Sequence, residues 1–307
     1  VKRAVKFKGA ELIVVDPRRV KIARHARMHL RQNLGTDVAW INGMMNVIIT
    51  EDLYDKAFVE NRTEKFDELK KLVSKYTPGY VEQITGIPAQ QLADAARLYA
   101  RAGVASILYC MGITQHSHGT DNVKSLANLA MLCGNLGVEG GGVNPLRGQN
   151  NVQGACDLGG LPNVYPAYQP VSDLANAKKF EEAWGVSGLP TKVGLQVTEM
   201  IPKAHEGEIK ALYIIGENPL VSDPDLNHAE KSIGNLDFLV VQDIFMTETA
   251  QMADVILPSK CFAEKDGTFS NTERRVQRVR TALPAPGEAW DDWKITCEIG
   301  TRMGLPM

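Results

Sequence analysis

Arg147 stands among side-chain amides and glycines, in the run Asn144-Pro145-Leu146-Arg147-Gly148-Gln149-Asn150-Asn151-Val152-Gln153-Gly154. A guanidinium is always charged and offers a planar fork of donors. Beside a glycine that lets backbone come close, it can grip a small carboxylate in two parallel hydrogen bonds. The same arginine could instead tie loop carbonyls together. Linkers favour Ser, Lys, Glu and Pro, whereas one cation among Asn, Gln and Gly reads better as a loop shaped around a ligand. Nine of the chain's 27 glycines fall between residues 134 and 160, so this stretch has the pattern of neither a helix nor a core strand.

A second set of candidates sits where β-branched runs stop. Residues 11–15 end in Asp16-Pro17-Arg18, and residues 210–215 open into Gly216-Glu217-Asn218-Pro219. Residues 237–241 end in Gln242-Asp243, and residues 254–257 in Pro258-Ser259. In open α/β sheets, ligands bind beyond the carboxyl ends of the strands. Asp16 can cap a turn, or it can accept hydrogen bonds from a ribose or base edge while Arg18 holds a phosphate. Glu217, Gln242 and Asp243 carry the same two readings. Two domains with such strand ends point to a ligand with two nucleotide-like parts.

Other chemistries find less support. The chain has no GxGxxG, no P-loop and no GxSxG elbow. His25 and His29 lie four apart in a basic stretch, where an exposed face is favoured over a metal pair. His116 and His118 flank Ser117 in a polar loop after a strand, a common position for ligand-proximal groups. The five cysteines, at 110, 133, 156, 261 and 297, form no CxxC pair, so no zinc or iron–sulfur ligation and no metal ligand is assigned. Their odd, scattered placement fits a reducing compartment, which makes the cytoplasm the expected location.

These residues need a scaffold to position them. A chain of 307 residues has length for about two domains of roughly 150 residues each. With 34 basic and 36 acidic residues the net charge is −2, which leaves no basic footprint for nucleic acid. No apolar run approaches the roughly 18 residues of a membrane span. Helices are expected from Thr36 or Asp37 with Val38, Ile41, Met45 and Ile48 inward, from Thr63 with Phe66, Leu69 and Val73, and from Pro88 with Leu92, Ala95 and Ala96. A strand at 105–110 leads through the loop 114–119 to a helix carrying Val123, Leu126 and Leu129. The predicted fold is α/β, with two Rossmann-like domains built on parallel sheets. The first covers residues 1–149 and the second 150–261; a polar excursion follows over 262–290, and a helix from Asp292 returns over 291–307. The start at Val1 and the stop after an apparent helix suit an interior piece of a longer protein.

The run from Arg147 to Asp157 resembles the substrate loop of the catalytic (alpha) subunit of formate dehydrogenases, in the molybdopterin oxidoreductases of the dimethyl-sulfoxide-reductase type. The resemblance extends through Val15-Asp16-Pro17-Arg18, Gly35-Thr36-Asp37, Gly112-Ile113-Thr114-Gln115, Gly216-Glu217-Asn218-Pro219, Val241-Gln242-Asp243, Ile256-Leu257-Pro258-Ser259 and Thr301-Arg302-Met303-Gly304. It implies a bis(molybdopterin guanine dinucleotide) cofactor with molybdenum or tungsten. By this likeness Asp16, Arg18, Gly35, Thr36 and Gln115 bind one dinucleotide. Gly216, Glu217, Asn218, Ser222, Gln242, Ser259 and Asp292 bind the other, Gln149 approaches a pterin, and Arg147 holds formate. The family also carries an N-terminal [4Fe-4S] domain and a cysteine or selenocysteine metal ligand, neither of which is in this sequence; the excursion 262–290 would face that cluster domain. Partners implied are formate, electron-transfer subunits and the remaining domains of the same chain. Two alternatives stay open: a non-catalytic scaffold like the large iron–sulfur subunit of complex I, and a sister enzyme with another substrate.

Overall fold

The computed structural model describes residues 1–305. The chain divides into two compact units, Val1–Gly148 and the remainder from Gln149.

The first unit is built around one helix. After α1 (Lys2–Lys8) come two short parallel strands, β1 (Ile13–Val15) and β2 (Met28–Leu30). Helix α2 (Asp37–Thr50) follows, with eleven of its 14 residues buried. A helix that is apolar nearly all round has to be covered on every side. The covering elements are α4 (Phe66–Val73), α5 (Pro78–Thr85), α6 (Ala89–Ala100) and α8 (Gly119–Leu132), with α3 (Lys56–Arg62) against α8. Ile41, Met45 and Ile48 of α2 meet Val81, Leu92 and Leu126 in one core. Strand β3 (Ser106–Tyr109), the single turn α7 (Met111–Thr114) and strand β4 (Gly142–Pro145) complete the unit, with β3 and β4 parallel.

The second unit carries a three-stranded parallel sheet, β7 (Ala211–Ile215), β8 (Phe238–Asp243) and β9 (Val255–Pro258), in that order. Before it lie α9 (Val152–Asp157), the hairpin of β5 (Val164–Tyr165) and β6 (Gln169–Pro170), α10 (Leu174–Trp184) and α11 (Val197–His205). The sheet connections are α12 (Pro219–Ser222), α13 (Leu226–Gly234) and α14 (Glu248–Gln251). Leu239 and Val241 pack with Ile233 and Ala250 on one sheet face. An antiparallel hairpin, β10 (Gly267–Ser270) and β11 (Val276–Val279), precedes α15 (Asp292–Arg302). Both units are therefore α/β with small parallel sheets.

Three local expectations need correction. The amide-rich run is not free of regular structure: β4 covers its start and α9 its end. Asn151 takes a left-handed φ of 64° as the N-cap of α9, and its Oδ1 accepts from Ser270 N at 3.0 Å. Gln153 is buried and donates to Asp157 at 2.7 Å and to the Tyr168 hydroxyl at 3.1 Å. Side-chain bonds thus supply what apolar patterning lacks. Helix α4 starts at Phe66 rather than Thr63, because Lys65 is left-handed at φ 60°. Pro88 caps α6 instead of entering it.

Among the described residues no helix is long and apolar enough to cross a membrane. All five cysteines are free thiols. Burial, with some help from nearby Asp55, pushes the Cys133 thiol up to about 12. Since the thiolate is the reactive form, Cys133 should stay unmodified by iodoacetamide at about pH 8 in the folded protein, as read by peptide mass spectrometry. Gly43 marks the closest helix approach: a Cβ there would lie 2.8 Å from Leu92 Cδ2 and 2.8 Å from Val81 Cγ2, both on fully buried residues. Gly43→Ala should cost about 1–3 kcal/mol by overpacking, which a lowered melting temperature of the full-length protein would register.

Candidate cofactor and substrate site

The strand ends of the second unit converge on one edge. Gln242, the penultimate residue of β8, is fully buried. Its amide nitrogen donates to Asp292 Oδ1 at 2.7 Å, and its oxygen accepts from the Tyr213 hydroxyl. Asp292 Oδ2 pairs with the Lys265 ammonium. Gly216 N donates to Gln242 O at 2.9 Å, and Ser259 N to Asp243 O at 3.1 Å, so the turns after β7 and β9 are pinned to β8. Ser259 is 7% exposed and bridges to Trp290 just before α15. Asn218 Oδ1 accepts from Thr249 Oγ1 at 2.7 Å while its Nδ2 donates to Glu248 at 2.7 Å. Ser222 Oγ donates to Glu217 at 3.1 Å. Gly216, Glu217, Asn218, Ser222, Gln242, Ser259 and Asp292 thus lie along one strand-end edge. Tyr213, Lys265 and Thr249, which local patterning does not single out, hold it together.

In the first unit, Asp16 follows β1 and its Oδ1 accepts from Arg18 N at 2.7 Å, which closes the turn. His29 Nε2 lies 3.0 Å from Asp16 O, and Arg31 Nε donates to Pro17 O at 3.1 Å. His29 therefore serves this turn rather than pairing with His25. Gly35 (φ 75°) and Thr36 precede α2, and no heavy atom lies within 4 Å of a Cβ built at Gly35. The Thr36 hydroxyl donates back to Asn33 O at 2.7 Å instead of capping the helix. Asp37, expected only as a cap, is 2% exposed. Its Oδ1 accepts from Trp40 Nε1 at 3.2 Å and, at 3.5 Å, from Gln32. His116 Nε2 approaches Asp37 Oδ2 at 3.7 Å, which brings the loop of Gln115 beside the Gly35–Thr36 turn. Among the described residues, the buried Gln32 Oε1 and Asn122 Oδ1 have no hydrogen-bond partner.

Arg147 is exposed just after β4, where Leu146 N extends the β3 pairing by donating to Tyr109 O at 2.7 Å. Burial pushes the Tyr109 hydroxyl up, and the Arg147 charge pulls it part of the way back. Gln149 opens the second unit, so the boundary falls inside the amide-rich loop.

The Asn218 amide, donating to Glu248, holds that carboxyl below the usual carboxylate range. Whatever Glu248 contributes is present above its ordinary value and is lost as pH falls through the lowered one. Asn218→Ala should bring the Glu248 titration back up, as carboxyl-detected NMR would read.

The family model described as Molybdopterin oxidoreductase matches residues 1–302. The chain is 56% identical to the F420-dependent formate dehydrogenase subunit alpha of Methanocaldococcus jannaschii, over 97% of this chain and 44% of that protein. It is 51% identical to formate dehydrogenase H of Escherichia coli, over 98% of this chain and 42% of that protein. Among solved structures, acetylene hydratase from Pelobacter acetylenicus superposes with a TM-score of 0.80 at 29% identity, over 99% of this chain and 44% of the other. The chain thus spans less than half the length of these relatives. A molybdopterin cofactor presents N–H edges, hydroxyls and phosphate. In the first unit the orphaned Gln32 oxygen and the open backbone at Gly35 fit parts of such a group, and in the second unit, taken by itself, so do the open backbone at Gly216 and the acceptors along its strand-end edge. The chain belongs to the molybdopterin oxidoreductase family, whose cofactor is a molybdopterin carrying molybdenum or tungsten.

Proposed function

We propose that this chain is part of the catalytic subunit of a formate dehydrogenase, which oxidises formate to carbon dioxide. The carrying observation is Arg147, standing in the amide-rich loop at the end of β4 in a chain more than half identical to two proteins named formate dehydrogenase. The cofactor is read as bis(molybdopterin guanine dinucleotide), one dinucleotide along each strand-end edge. Asp16, Arg18, Gly35, Thr36 and Gln115 take the first. Gly216, Glu217, Asn218, Ser222, Gln242, Ser259 and Asp292 take the second, and Gln149 meets a pterin. The family likeness supports two dinucleotide-binding α/β domains at 1–149 and 150–261, an excursion over 262–290 facing a [4Fe-4S] domain elsewhere in the longer chain, and a return helix at 291–307. Relatives named as alpha subunits support electron-transfer partner subunits. The odd number and scattered placement of the cysteines support a reducing compartment such as the cytoplasm.

When bound, the pterin-held metal supplies the two-electron redox chemistry. The protein's part is binding and orientation. The Arg147 fork takes both formate oxygens and fixes which way the C–H points. Carbon dioxide has lost the charge the fork held, so the grip weakens as the product forms. Gln149 and the neighbouring amides supply neutral hydrogen bonds that do not compete for the anion.

Formate-dependent reduction of a viologen dye by the full-length protein, kept anaerobic, tests this reading. Activity supports it. Silence in a preparation that holds molybdenum or tungsten points to a sister enzyme with another substrate, and silence without metal to a scaffold. In the active protein, Arg147→Lys keeps the charge and loses the fork. It should lower kcat/KM for formate about a hundredfold, the scale of a misplaced substrate. An unchanged kcat/KM would remove Arg147 from the role.

A further inference from the structure

One part of the second strand-end edge is over-determined for a simple contact. Asp292 is gripped on both oxygens from within the protein, by Gln242 at 2.7 Å on Oδ1 and by Lys265 on Oδ2. An ionised carboxylate only accepts, so the Gln242 amide must turn its nitrogen to Asp292 and its oxygen away. Tyr213 then donates to that oxygen. The phenol thereby fixes an amide that burial leaves no other donor to satisfy. Lys265 meets the other carboxylate oxygen. It lines a groove of about 500 Å³ together with Asp292, Phe262, Phe269 and Trp293. A half-buried ammonium among aromatic rings is costly unless paired, and burial lowers the Lys265 pKa against the pull of Asp291 and Glu264.

We propose that Lys265 and Tyr213 are positioning residues for Asp292: Lys265 holds one carboxylate oxygen and cancels the charge, while Tyr213 holds the Gln242 amide that grips the other, so that the groove accepts a neutral planar edge with two adjacent N–H donors. This rests on the reading of the edge as a dinucleotide site. Each carboxylate oxygen has two lone-pair directions. The protein's donors take one on each oxygen, so each oxygen can still accept one bond from a heteroaromatic ring edge. Without Lys265, Asp292 would be an uncompensated anion that draws any cation and repels the phosphates of an incoming nucleotide. Tethering is not the need Lys265 meets. The adjacent pair Lys260–Asp291, at 3.0 Å, and the backbone bonds Trp290 N to Pro258 O and Lys260 N to Trp290 O already join the same segments.

The experiment counts guanine released by acid per chain from the full-length protein, produced in a host that makes the cofactor. The wild type should yield two. Lys265→Met and Tyr213→Phe should each fall about twofold, to an average of one, with metal content falling in proportion because both dinucleotides belong to one metal complex. Lys265→Arg, which keeps the charge, and Lys260→Met, which breaks only the neighbouring tie, should both stay at two. The cofactor-free Lys265→Met protein should melt close to the wild type. The proposal fails if Lys265→Met retains two guanines, if Lys265→Arg falls with it, or if Lys260→Met falls equally, which would mark a structural tie. Retention of two by Tyr213→Phe removes Tyr213 from it. A wild type that releases no guanine overturns the dinucleotide reading itself, and this inference with it.

Discussion

Gln242 has to be satisfied on both sides of its amide without help from water. A buried amide left half-paired costs more than an apolar side chain in its place. Its partners come from far along the chain, 29 residues away at Tyr213 and 50 away at Asp292. Meeting that demand draws the start of α15 to the carboxyl edge of the β7–β9 sheet. Asp291 and Asp292 arrive together, and Lys260 and Lys265 follow to neutralise them. The polar array at this edge is therefore built outward from one buried side chain. The turns after β7 and β9 close onto the same strand, through Gly216 and Ser259.

The first unit meets a related constraint with a different device. Helix α2 is buried nearly all round, so its first turn cannot be left to solvent. Asp37 brings a carboxylate to the positive end of the helix dipole, where negative charge is favoured. That buried charge then requires donors. Trp40 and Gln32 supply them on one oxygen, and His116 stands 3.7 Å from the other. A loop after β3 and a turn after β2 are thereby fixed beside each other, because one acid between them must be shared.

Much of this was legible in the sequence where the signal is local. β-branched runs ending in Asp16, Gly216, Gln242 and Ser259 announce strands and their carboxyl ends, since both depend on adjacent residues. The α2 and α6 core positions follow from helical spacing. What escaped depends on partners distant in sequence. Tyr213 reads as one more strand aromatic, and Lys265 as one more surface cation, until α15 folds back. Asp37 reads as a cap because nothing nearby tells that its helix is covered on all sides. The amide-rich loop misled for a related reason: Asn151 and Gln153 build a short helix from side-chain bonds to Ser270, Asp157 and Tyr168, two of them far downstream.

A fold that positions a cofactor need not choose a substrate. A chain named acetylene hydratase shares this backbone at a TM-score of 0.80 while differing at most positions. Interactions that run through backbone amides, such as the closing of the β7 and β9 turns on β8, do not depend on which side chains stand there. Substrate choice must then reside in side chains that the sheet does not need. Arg147 is the residue proposed for that part: it follows β4, is exposed, and its charge reaches Tyr109 of β3. Its neighbours on the loop are amides and glycine, which shape space without setting charge. On that proposed reading, a change at this single position alters what the loop holds and leaves the backbone closure of the strand-end turns intact.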